Sequence, residues 1–176
     1  MVHPSALTSK TTHSLINIGE AIRDLIFREY NKDAKPGKVS YRDVGMPPMK
    51  EELFGQPDVL PSLPAVAIEI STAKFEDAPQ KAGSDNSVEF KIILYGRGVT
   101  RKTQQKEAIQ MAEAVRHIIR DNPTVPTKEG VNQVFSLGYG EMGFEFDRLV
   151  QNFESATVGV EVAIITALAV YAETGF

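Results

Sequence analysis

The chain has 176 residues, 24% of them charged, with a formal net charge of −4 and no cysteine. That length suits one domain able to bury a core unaided, and the missing cysteine excludes disulfides and thiolate metal sites. With 19 Lys and Arg against 23 Asp and Glu, the balance argues against duplex nucleic acid as the main ligand, because phosphate contacts dominate that affinity.

Met1–Lys10 holds no basic segment followed by a long apolar run, so it reads as a loose tail and not as a secretory signal. A first helix is expected over Thr12–Tyr30, capped by Thr11, Thr12 or Ser14. Leu15, Ile18, Ile22, Leu25 and Ile26 recur at helical steps and make one apolar face. Asn, Pro and Gly between Asn31 and Gly37 end it.

Val39–Val44 reads as a short strand. Gly45–Leu63 is irregular, with four prolines among Met46, Met49, Leu53, Phe54, Val59 and Leu60. Long structureless connections are uncommon in compact domains. Two readings stand: a connection that covers one end of the core, or a projecting arm whose exposed Phe and Met anchor on a neighbouring subunit.

Strands follow at Ala65–Thr72 and Val88–Tyr95, both alternating, with the polar Phe75–Ser87 connection between them. One face of this pair meets the helices; the other is mixed and suits solvent or a partner. A second helix is expected over Lys102–Asp121, with Ala108, Met111, Ala112, Val115, Ile118 and Ile119 inward and Pro123 beyond its end. Gln133–Tyr139 reads as a strand, and Phe144 to Phe153 as a further strand or turn. The closing strand, Val158–Tyr171, is long and apolar on both faces. Its residues span about 46 Å at about 3.3 Å each, so it bends or runs past its own sheet. A strand of that kind wants cover on both faces, and one helix layer supplies only one. Ala156–Ala172 is interrupted by Thr157, Gly159, Glu161 and Thr166 and falls short of the about 20 mostly apolar residues of a spanning helix, so the protein is expected in solution. The pattern as a whole predicts one α+β domain, a mostly antiparallel sheet with elements in the order α-β-β-β-α-β-β.

Chemistry-bearing motifs are few. His3, His13 and His117 lack paired ligand spacing, and His117 reads first as a boundary side chain on the second helix, with a metal or general-base role behind it. Glu141, Glu145 and Asp147 would share one side of an extended segment, where Met142, Phe144 and Phe146 form the other; a solvated strand face explains them before acid–base chemistry does. No G-x-S-x-G elbow is present, and Ser136 and Ser155 lack a nucleophile's setting. Arg97, Arg101 and Lys102 crowd the start of the second helix after Gly96 and Gly98. A solvated basic turn accounts for them; a phosphate or a neighbour's carboxylate is the sharper alternative. No catalytic residue, metal site or cofactor is expected.

The order of Leu15-Ile16-Asn17-Ile18-Gly19-Glu20-Ala21-Ile22, Leu63-Pro64-Ala65-Val66-Ala67-Ile68, Phe90-Lys91-Ile92-Ile93-Leu94-Tyr95-Gly96, Ala108-Ile109-Gln110-Met111-Ala112-Glu113-Ala114-Val115 and the closing strand resembles the tail terminator, or tail-completion, proteins of long-tailed bacteriophages. The likeness covers nearly the whole chain and lies in order and texture. It implies a sheet with two helices packed on one face, in a ring that is commonly a hexamer. Such a ring caps the tail tube, ends its polymerisation and offers a surface to the head–tail connector, in the neck of the virion after assembly in the host cytoplasm. The partners implied are further copies of the chain, the tail tube protein and the connector. DNA crosses the lumen without specific binding, and no membrane is involved. Subunit or tube contacts are expected in two regions, at Met46, Met49, Leu53 and Phe54 of the arm and at Val158, Val160, Ile165 and Tyr171 of the closing strand. The rivals are another neck or head-completion protein and a small α+β ligand-binding domain or enzyme.

Overall fold

The computed structural model of the protein describes residues 14–33, 40–75, 85–126, 132–138, 142–153 and 156–173. Two helices and a mixed, curled sheet make an α+β fold. The elements are α1 (Ser14–Asn31), β1 (Glu51–Phe54), β2 (Ala65–Lys74), β3 (Asp85–Tyr95), α2 (Arg101–Asp121), β4 (Val125–Pro126), β5 (Asn132–Leu137), β6 (Gly143–Phe153) and β7 (Ala156–Glu173). The tail Met1–Lys10 and most of the Phe75–Ser87 connection lie outside the described residues.

Both helices form where the apolar spacing places them. α1 buries Ile18, Ile22, Leu25, Ile26 and Tyr30. α2 buries Ala108, Met111, Ala112, Ala114, Val115, Ile118 and Ile119. Its start is closed by a reciprocal cap. Thr100 Oγ1 accepts from Thr103 N at 3.2 Å, and Thr103 Oγ1 accepts from Thr100 N at 3.1 Å. At its end, Asn122 Nδ2 donates to Ile118 O at 2.8 Å and so satisfies a terminal carbonyl.

The strands run β1-β2-β3-β7-β5-β4, with β6 also on β7. β1 lies parallel to β2, and every other pairing among these strands is antiparallel. Alternation then sorts the two faces. Val66, Ile68, Phe90, Ile92, Leu94, Ala163, Ile165, Ala167, Ala169 and Tyr171 point toward both helices and share one core with them. Ala65, Ala67, Ile93, Tyr95, Val160 and Val162 point the other way and form a second buried cluster, flanked by Leu53, Leu63, Leu149 and Ile164. The curl of the sheet closes this second cluster without any helix. Each buried Ile, Leu or Val contributes about 1.5–3 kcal/mol of transfer free energy, so both faces stabilise the subunit.

Three expectations are corrected. Residues 40–44 form no strand; the first strand is β1, inside the stretch read as an arm. A side-chain amide steers the chain there. Asn31 Nδ2 donates to Met49 O at 3.0 Å, and Asn31 Oδ1 accepts from Met49 N at 2.8 Å, so Asn31 occupies Met49 as a neighbouring strand would. Lys50 N then donates to Pro64 O and opens the pairing of β1 with β2. Second, four strands follow α2 among the described residues where the expected order had two: β6 is the segment Phe144–Phe153 read as a strand or turn, and β4 was not expected. Third, the end of β7's second face needs no neighbour, because Val160 and Val162 are buried by the chain's own curl; Ile164, Leu168 and Val170 further along that face are half-buried.

β7 has 18 residues and works as a spine. On one flank it pairs with β3 over Val162–Ala172. On the other it pairs with β6 over Ala156–Thr166 and with β5 over Ala169–Glu173. Residues Ala156–Glu161 therefore have β6 but not β3 beside them, and the β6–β7 hairpin runs about 20 Å past the end of β3. The long strand thus runs past β3 but not past the sheet, because β6 pairs with its first residues.

Candidate functional site

The polar constellation with the most built geometry lies where α2 begins beside the projecting hairpin. Glu161 belongs to the helix-facing side of β7 and is 3% exposed. Its Oε1 accepts from Arg101 Nε at 2.6 Å and from an Arg148 terminal nitrogen at 3.2 Å. Arg148 stands directly opposite Glu161 in the β6–β7 register, and its guanidinium lies over Gly159, where a Cβ would collide with it. Gln104 ties the same corner to β3: its Oε1 accepts from Glu161 N at 2.9 Å, and its Nε2 donates to Gly96 O at 3.1 Å. A carboxylate this deep needs paired, hydrogen-bonded cations, and it has them.

The basic turn is thus engaged from within. Arg101, read as part of a solvated basic turn with an anion contact as the alternative, is committed to Glu161. Thr100 takes the Thr103 amide of the helix start, and Arg97 N donates to Glu107 Oε2 at 2.7 Å. Lys102 and the Arg97 side chain remain at the surface. Gly96 and Gly98 are explained by packing: a Cβ on Gly96 would meet Gln104 O, and one on Gly98 would fall on the main chain of Thr103 and Gln104. Their small size lets the end of β3 approach the first turns of α2, which accounts for them without a phosphate.

The expected contact residues divide sharply. Met49 is buried in the helix-side core and Met46 packs against it. Leu53 lies half-buried against the second cluster. Phe54 is partly exposed, with its ring over Gly19 of α1. Val160, Ile165 and Tyr171 are buried inside the subunit, where the curl and the helices cover them. The Val158 side chain lies outside the described residues. Apart from Phe54, the contact residues whose side chains are described do more for the core than for the surface.

The surface instead presents a stripe that the alternation pattern hid. Phe144, Phe146 and Val150 stand on one side of β6 and are 41%, 46% and 63% exposed. They lie on the helix side of the sheet, opposite Ile165, Ala163 and Gly159 of β7, with Arg148 between Phe146 and Val150. Their neighbours Glu145 and Asp147 point to the opposite side and are exposed. The signal in the sequence was a single strand carrying large apolar side chains on one side and acids on the other; what it lacked was which side had a cover.

The enzyme reading asks for converging groups. A groove of about 250 Å³ lies between α1 and β4, lined by Leu25, Asp24, Arg28, Thr124 and Val125 among others. None of His117, Glu145 and Asp147 lines it. His117 is half-buried on α2, and Glu141 and Ser155 lie outside the described residues. No group of three or more His, Asp and Glu side chains able to hold a metal occurs among the described residues. No helix among them is long and apolar enough to cross a membrane. No protein-family model matches the chain, and no curated protein sequence is significantly similar to it.

Proposed function

We propose that the chain is a structural subunit of a bacteriophage tail, a terminator that assembles into a hexameric ring. The ring caps the tail tube, ends its polymerisation, and offers its far side to the head–tail connector. The observation that carries the reading is the stripe Phe144–Phe146–Val150 on β6, a strand of 11 residues with β7 as its partner on one edge. No described strand takes its other edge. Apolar side chains in line on an open strand edge mark a protein contact. The α+β fold also agrees with what the resemblance implies. The helix side of β7 contributes little, since Ala163, Ile165, Ala167, Ala169 and Tyr171 are hidden inside the subunit.

The test is native mass spectrometry with particle-averaged electron microscopy of the purified protein, followed by addition to growing tail tubes. Closed rings and arrested tube growth are expected. A monomer at every concentration, with tubes elongating past it, would defeat the reading. Pull-down by capsid portal without tube binding would move the assignment to another neck component.

A further inference from the structure

The stripe on β6 is too small to hold a ring together, since a stable contact buries about 800 Å² per partner. A second surface is needed, and the charge distribution points to one. α1 and α2 cover one side of the sheet. On the other side, the curl hides only the end around Ala65, Tyr95 and Val162. The remainder stays open, with Ile164, Leu168 and Val170 half-buried. Across it lie Glu69, Glu89 and Glu145, with the exposed Asp147 at its border opposite Val162, against Lys91 and, at the far end, Lys74.

The opposite charge gathers at the start of α2. Arg97, Arg101, Lys102, Lys106 and Arg148 outnumber Glu107 and Glu161 there, in a chain whose net charge is −4. Lys102 and Lys106 are exposed. α2 packs on the helix side of the sheet, so this corner cannot reach the acidic side of its own subunit.

We propose that the open acidic face of the sheet receives the basic α2 corner of a second copy of this chain. The two surfaces are different patches on opposite sides of one molecule. Their union is therefore head-to-tail, the arrangement that closes into a ring when the rotation permits. Charge complementarity of this kind sets register and partner choice. The inference rests on the self-assembly proposed above and supplies its second contact.

The test is charge reversal on the full chain. K102E/K106E alters the corner, and E145K/D147K alters the face; all four side chains are exposed and outside both cores. Circular dichroism melts check that each variant folds, and K102Q/K106Q gives a neutral control. Each reversal alone should raise the concentration needed for assembly about tenfold or more, and raised salt should act on the wild type in the same direction. Mixing the two reversed proteins should restore assembly, because the acidic corner of one fits the basic face of the other, and the unchanged corner and face still fit each other. Wild-type rings with both reversals assembling normally would overturn this inference and leave the ring intact. A wild type that stays monomeric throughout would overturn the ring itself. If K102E/K106E instead removes a salt-steep binding to a DNA duplex and leaves assembly unchanged, the corner is a nucleic-acid contact and the inference fails.

Discussion

Arg101, the first residue of α2, holds Glu161 of β7 at 2.6 Å, and the two are 60 residues apart in the chain. The link fastens the helix start to the strand that carries the projecting hairpin. Arg148 shares the same carboxylate oxygen from β6. Three elements thus meet on one buried acid.

Removing that acid should cost more than removing either cation. Glu161→Ala leaves two guanidiniums facing each other over a site built for a carboxylate, at about 1–3 kcal/mol. Arg101→Ala leaves Glu161 still paired with Arg148, and Arg101 is mostly solvated, so about 1 kcal/mol or less is expected. Urea unfolding of the two variants makes the comparison. Equal losses would mean that Arg148 carries none of the load.

The second buried cluster predicts symmetry between neighbouring positions. Ile92 points at the helices and Ile93 at the curl, and both are buried. Ile92→Ala and Ile93→Ala should each destabilise the isolated subunit by about 2–5 kcal/mol. Dilute samples, below any assembly, must be used for the denaturation. An Ile93→Ala variant as stable as wild type would show that the curl does not close that face.

Alkaline pH should weaken the fold through Tyr30. Burial is the largest influence on this phenol and lifts it from 10.0 to about 12. A group raised in the folded state keeps its full stability below its unfolded value and loses it as pH climbs through the folded one. The window therefore opens near pH 10 and closes near pH 12, and the loss across it is about 2–3 kcal/mol. Tyr30→Phe should flatten that part of the stability profile. Denaturant midpoints collected across the window decide it, and an unchanged slope in the variant would refute the assignment.

The stripe on β6 separates folding from assembly. Phe144→Ser with Phe146→Ser removes exposed apolar surface and should shift subunit stability by no more than about 1 kcal/mol. Ring formation should be lost. Thermal melts and native mass spectrometry on one preparation read both quantities. Rings that persist in this variant would remove the stripe from the contact.

Much of the fold was legible because periodicity is a local property. Both helices, β2, β3 and the alternation of β7 follow from the spacing of their own apolar residues. What the spacing could not carry was which strand lies beside which. β1 lies in a proline-rich stretch, and it forms through Asn31 and the main chain of β2, neither near it in sequence. The curl is likewise a property of the whole sheet, so Val160 looked like surface in want of a partner when its cover was already in the chain. Glu161 gave a local sign, a lone charge on an apolar strand. Its partners, Arg101 and Arg148, sit on other elements and could not be named from it. The exposed side of β6 was hidden for the converse reason: an alternating strand says that two sides differ, and not which of them meets protein.

The spine arrangement of β7 bears on how the molecule comes into being. β3, β5 and β6 all dock on it and all precede it in sequence, so each keeps one edge without its final partner until residues beyond 155 are available. Pairing between distant segments closes long loops before it is rewarded, which slows folding. During synthesis the earlier strands stand with open backbone, a state prone to sticking to other chains. A nascent copy released before its last strand forms would be a hazard to the assembly it is meant to join.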